Sequence, residues 1–441
     1  MSDQHFDLIL RGGICVLPWG EAAADVGVRH GRIAAIGLPA TATAERVLAA
    51  RGLHVLPGVI DPHVHLRDPG DAAVESIPTG TRAAVLGGVT TVFDMPNTTP
   101  AIIDAERLAW KQDYVERVAW CDMGLYVGAT KSNVPELAAL ERGRGVCGIK
   151  VFAGSSTGDL LVEDDASLER VMRSGRRRIS YHSEDEYRLQ ARRGDFHAGM
   201  PYAAHMDWRD EECAFLGTRR LLALAQASGR PAHLLHVSTA EELAYVADWR
   251  DLVSVELLVN HLTQMAPDAY DRLGGFAVMN PPIRGARHMA AAWAAVRDGS
   301  VDTIGSDHAP HPRAAKLKPW PDCPAGLTGV QTLLPVMLDH VNAGRLPLGR
   351  MVDLMCAGPA RVYGVVGKGR LAVGWDADFS LVDLRRQRVI EESWIASPCG
   401  WTQFAGMRVT GWPAATIVRG HVVMQDDTVL GTPQGRLARF R

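Results

Sequence analysis

Eight strand-length apolar runs, separated by segments of helical period, constrain this chain more than any other feature. They are "HVLPGVIDPHVH" (54–65), "TTVFDMPN" (90–97), "MGLYVGA" (123–129), "GIKVFAG" (148–154), "RRISYHSE" (177–184), "PAHLLHVS" (231–238), "LVSVELLVN" (252–260) and "VDTIGSDHAP" (301–310). The gaps hold segments such as "AERLAWKQDYVERVAW" and "EECAFLGTRRLLALAQAS", whose apolar residues recur at helical spacing. Eight such alternations over roughly 250 residues meet the requirement of a (β/α)8 barrel, which is favoured over a doubly wound open sheet. The flanks differ in texture. Short alternating runs broken by glycine, as in "FDLILRGGICVLPWG", return only in "GRLAVGWDADFSLVDL" and "ATIVRGHVVMQDD", which predicts a small β-sandwich domain built from both termini. The expected α/β organisation is a first sandwich part over 1–56, a barrel over 57–362, and the rest of the sandwich with a C-terminal tail over 363–441.

Composition narrows the function classes. A net charge of −3 lacks the basic excess of a nucleic-acid binder. The longest apolar stretches are strand-length, which argues against a membrane span. The opening "MSDQHFDLIL" has no basic n-region, and seven dispersed cysteines without a Cys-x-x-Cys read as reduced thiols. A cytoplasmic protein acting on a small molecule is expected.

In a barrel, polar residues at the C-terminal strand ends converge on one mouth. Collecting them yields His63, His65, Asn97, Lys150, His182, His236 and Asp307. His63 and His65 are two apart, so strand alternation puts both on one face, and imidazoles with a carboxylate suit zinc. Each residue alone has a plainer reading: a surface His-x-His pair, core or rim histidines, or a helix cap at Asp307. Lys150, inside "GIKVF", is harder to dismiss, because a buried lysine needs a partner or must lose its charge. Five of eight strands delivering a ligand type at one end shifts the balance towards a metal site. His233, three residues before His236, and His308, beside Asp307, are expected to face away.

The segments "GVIDPHVHLRDPG", "GGVTTVFDMPNTTP", "GIKVFAGSSTGDLLV", "HLLHVSTAEE", "MNPPIR" and "GSDHAPH", in that order, resemble the amidohydrolase superfamily and, within it, the dihydroorotase family. The resemblance covers nearly the whole chain. His-x-His with the aspartate of the eighth strand implies the superfamily; the arginine of "HLRDPG" with "MPNT" narrows it to the dihydroorotase side, close to allantoinases and hydantoinases.

The resemblance implies two zinc ions: His63, His65 and Asp307 on one, His182 and His236 on the other, and Lys150 bridging them as a carbamate. It implies reversible opening of (S)-dihydroorotate to N-carbamoyl-L-aspartate, a step of pyrimidine biosynthesis, by a metal-bridging hydroxide with Asp307 as general base and then acid. Arg67 would neutralise the substrate carboxylate, aided by Asn97 and His311, while Asn280 and the backbone of Ala325 and Gly326 would contact the ring. The family's habit implies a dimer or tetramer. The rivals are an allantoinase or hydantoinase and, from another class, a non-catalytic scaffold relative. Two stretches depart from the commonest family pattern. "VNHL" puts Asn260 where a histidine is usual and keeps His261, neither with a ligand role; "HAGMPYAAHMDWRDEE", 197–212, bears on substrate fine-tuning.

Overall fold

The computed structural model describes residues 5–155 and 160–441. Its eight-stranded parallel sheet runs in sequence order through Val59–Val64, Val89–Asp94, Asp122–Gly128, Val146–Phe152, Ile179–His182, Ala232–Leu234, Val253–Leu258 and Thr303–Gly305. Each of the eight predicted runs overlaps one of these strands; five enclose theirs, while the strands starting at Val89, Asp122 and Val146 begin one or two residues ahead of the run. They are buried along their whole length, because helices cover the outside and side chains fill the inside. A bridge between Val64 and His308 draws the first strand against the end of the last, and His65 N–H donates to the His308 carbonyl at 2.7 Å. The sheet is thereby nearly closed. The segments chosen for their helical period form Ala105–Val118 and Glu211–Ser228.

Strands from both ends of the chain make a separate nine-stranded sheet. The central stitch is His54–Pro57, parallel to His5–Leu17 on one side and antiparallel to Phe379–Val389 on the other. Leu8, Leu10, Val26, Val28, Phe379 and Ile417 give this domain its own apolar core. The run 54–65 therefore serves two sheets, changing over at Gly58. There a Cβ would lie 2.2 Å from Thr90 Oγ1 and 2.7 Å from Asp378 Cβ, so only glycine fits the crossing. Among the described residues no helix is long and apolar enough to cross a membrane, and all seven cysteines are free and buried.

A buried charge cluster ties the domains together. Lys368 Nζ lies 2.7 Å from Asp122 Oδ2 at the start of the third barrel strand and also pairs with Asp378, while Arg419 pairs with Asp122. These charges hold one another in place, so removing the central cation leaves buried carboxylates unpaired. Lys368→Met is expected to cost about 3–5 kcal/mol of stability, seen as a lower thermal unfolding midpoint. An unchanged midpoint would mean the cluster contributes nothing net.

Candidate active site

The mouth of the barrel is assembled by strand ends and the turns that follow them. After the sixth strand, "STAEE" forms a reciprocal cap: the Thr239 hydroxyl accepts from Glu242 N–H and the Glu242 carboxylate accepts from Thr239 N–H. That turn ends the strand segment and leaves His236 at its top. Three site residues have a left-handed backbone, Arg67 at φ 57°, His236 at 40° and Asp307 at 47°. Non-glycine residues avoid this region, and where the surrounding structure enforces it the strain tends to accompany function.

His63, His65 and Asp307 form one buried cluster whose ligand-capable atoms lie within 4.8 Å of one another. His63 Nδ1 is 2.8 Å from Glu256 Oε1, and His65 Nδ1 is 2.7 Å from Asn97 Oδ1. Each imidazole thus spends its proton on an outer acceptor and turns its Nε2 lone pair inward. Both Nε2 atoms face Asp307 Oδ1, at 3.2 and 3.1 Å. Burial pushes the His65 pKa down to about 4, which keeps its imidazole neutral and its Nε2 lone pair available. Two lone pairs and a carboxylate oxygen converging in this way suit a divalent cation.

A second group adjoins it. His182 Nε2 lies 2.9 Å from Glu184 Oε2, and its Nδ1 meets His236 Nε2 at 3.1 Å. Among the described residues His236 Nδ1 has no partner. The His236 ring is 5.3 Å from that of His63, so the imidazoles form a continuous row. Lys150 lies in this mouth region on the fourth strand, paired in register with Ser180. It is buried, its Nζ sits 4.5 Å over the Phe152 ring, and no carboxylate among the described residues is within ion-pair reach. Desolvation lowers its pKa to about 7 against the weaker pull of Asp307 and Glu256, so much of it is a neutral amine near neutrality.

The remaining expected residues, all but Gly326, line two cavities that meet at His311. One, of about 660 Å³, is lined by Arg67, Asn97, Pro310 and His311. The other, of about 340 Å³, is lined by Asn280, His311, Ala325, His205 and Trp320. His311 Nε2 is 3.0 Å from the Ala325 carbonyl, and Gly326 N–H donates to the Val278 carbonyl at 3.0 Å, so that N–H is already committed. At Gly326 a Cβ would come within 2.4 Å of the Ala309 carbonyl and 2.9 Å of the His311 ring. His308 pairs with Glu75 at 3.0 Å, and His233 bonds Ser254 Oγ at 2.7 Å. Asn260 accepts from Gln403 at 2.7 Å and His261 Nε2 approaches the Pro281 carbonyl at 3.3 Å. Of the departing stretch 197–212, the short helix Ala204–Trp208 carries His205 and Trp208 into the wall of the smaller cavity.

Sequence reasoning missed the acids behind the imidazoles. Glu256 stands alone in the apolar run "LVSVELLVN", the same signal that drew notice to Lys150, and Glu184 lies two residues past His182. Glu184 also pairs with the buried Arg209, and Glu256, held near pKa 2, stays ionised beside His63 and His233 even though burial opposes its charge.

Comparison with known proteins agrees with this geometry. The amidohydrolase family model matches residues 54–423. An allantoinase from Deinococcus radiodurans is 34% identical over 99% of this chain and 100% of its own. A dihydroorotase from Methanosarcina mazei is 33% identical over 93% of this chain and 92% of its own. An L-hydantoinase structure from Arthrobacter aurescens superposes with a TM-score of 0.93 at 30% identity, covering 98% and 99% of the two chains. The chain belongs to the amidohydrolase family. Within that family it falls among the hydrolases of cyclic amides.

Proposed function

We propose that this protein is a zinc-dependent dihydroorotase, interconverting (S)-dihydroorotate and N-carbamoyl-L-aspartate. The observation that carries the choice of substrate is Arg67. Its guanidinium lines the larger cavity beside the His65 cluster, donates to the Pro310 carbonyl at 3.2 Å, and has no carboxylate in ion-pair range among the described residues. Its removal from water lowers its pKa, which Asp307, Asp94 and Glu75 counteract only from a distance. Such a cation favours a substrate that brings its own anion, and dihydroorotate does so where allantoin and simple hydantoins do not.

The His63, His65 and Asp307 group supports one ion, and the adjoining histidines extend the reading to a second. His63, His65 and Asp307 would hold one, His182 and His236 the other, and Lys150, adding as its neutral amine to carbon dioxide with loss of a proton, would supply carbamate oxygens as further ligands. When bound, the ions would provide Lewis acidity that lowers the pKa of a water and polarises an amide carbonyl. Glu256, Asn97 and Glu184 orient the imidazoles by fixing which nitrogen carries the proton. Asp307, engaged through Oδ1, takes the proton of the attacking water on Oδ2 and delivers it to the ring nitrogen as the C–N bond breaks. Ring closure runs the same proton path backwards. Arg67, Asn97 and His311 hold the ring's carboxylate so that the scissile amide faces Asp307.

A steady-state comparison of dihydroorotate, allantoin and hydantoin tests the reading. Arg67→Ala is expected to lower kcat/KM for dihydroorotate by roughly 100-fold or more, the scale of removing one partner of a buried charged pair, and to leave uncharged rings little affected. An unaltered preference would overturn the carboxylate assignment. A wild-type preference for allantoin would favour the allantoinase relatives instead. About two zinc ions per chain are expected by elemental analysis; none after reconstitution would point to the scaffold reading.

A further inference from the structure

The smaller cavity carries a hydrogen-bond chain that the mechanism above does not use. His205 is buried, with Nε2 3.1 Å from the Met279 carbonyl and 2.8 Å from Asn280 Oδ1, while Nδ1 lies 3.3 Å from Trp320 Nε1. Two of these partners have no choice of role. A backbone carbonyl can only accept and an indole N–H can only donate. His205 is therefore the Nε2–H tautomer, donating on one side and accepting on the other. The Asn280 group facing Nε2–H must then be its carbonyl oxygen, because its amide would set donor against donor. The orientation of Asn280 follows from Met279 and Trp320 and not from the placement of its own side-chain atoms.

Trp320 is itself held. Its ring is 2% exposed and meets Phe196 and Trp208 edge to face, with centroids 6.1 and 6.5 Å away. Burial pushes the His205 pKa down to about 3, so the imidazole keeps one proton throughout the working range. Asn280 lines the cavity beside His311 and Ala325, and no protein group among the described residues occupies its amide nitrogen.

We infer that Trp320 and His205 form a positioning relay that locks Asn280 as a hydrogen-bond donor, so that this wall of the site reads a carbonyl oxygen of the ring and rejects a ring N–H there. The inference rests on the cavity being a cyclic-amide site. It makes His205 and Trp320 positioning residues for specificity, acting on the ring through Asn280 although both also border the cavity. A site built to hydrogen-bond one group discriminates strongly because a mismatched partner leaves a buried polar group unpaired.

A double-mutant cycle on the metal-loaded enzyme tests it, using whichever of dihydroorotate, allantoin or hydantoin the wild type opens. His205→Phe and Asn280→Ala are each expected to lower kcat/KM about tenfold, one hydrogen bond's worth, mainly through KM. The double variant should be no worse than Asn280→Ala alone, since the relay acts only through Asn280. Trp320→Phe should show a smaller loss of the same kind, and His205→Gln, which keeps a donor towards both carbonyls, should recover most of the activity. Additive losses, or wild-type KM in both His205→Phe and Trp320→Phe, would overturn the relay. Should His205→Phe fail to fold, Asn280→Asp decides: it is isosteric but offers no donor, and full activity in that variant would refute the inference. A wild type that opens none of these rings would sink the functional reading itself, a different result from turnover without coupling.

Discussion

Asp307→Asn is expected to reduce turnover by at least about 10³-fold, within the 10²–10⁴ range of general acid–base catalysis, while the barrel remains folded. The substitution is well matched to its surroundings. Asp307 sits at φ 47°, and asparagine is among the few residues that accept this left-handed backbone. The amide keeps an oxygen that can face His63 and His65 but loses both the negative charge and the ability to carry a proton. A thermal midpoint near the wild-type value with turnover lost would separate chemistry from folding. Activity within tenfold of wild type would remove Asp307 from the proton path.

Lys150→Ala is expected to abolish both activity and retention of a full metal complement, with partial rescue by added short-chain carboxylic acids. The lysine is costly where it stands: buried, with no carboxylate in reach among the described residues, and with its pKa lowered to about 7. A carbamate would turn that neutral amine into an anion facing the imidazoles of His182 and His236, and a small carboxylate can imitate its two oxygens once the side chain is gone. Metal content measured with and without the added acid is the direct readout. Wild-type metal content and turnover in Lys150→Ala would overturn the ligand role, and a complement restored by carboxylate would support it.

Much of the architecture was legible because it is written in local periods. Each predicted run overlaps a barrel strand since burial on both faces demands continuous apolar residues, and the helices between follow from their 3.6-residue spacing. His63 and His65 could be put on one face by counting alternation alone. The run 54–65 reads whole as a barrel strand although the expected domain boundary falls inside it at 56/57; what divides it at Gly58 is the approach of Thr90 and Asp378 from elsewhere in the chain.

The sequence by itself determined which residue types stand at the strand ends and, through the barrel, that they share a mouth. Tertiary structure alone decided which group holds each proton. Glu256 meets His63 across 193 residues, Asn97 turns its carbonyl oxygen to His65, and Trp320 dictates through His205 which end of Asn280 faces the cavity. The reason is physical: apolar periodicity is a property of a segment, whereas a hydrogen-bond partner is whatever closure of the barrel brings within 3 Å, and no local pattern encodes that meeting.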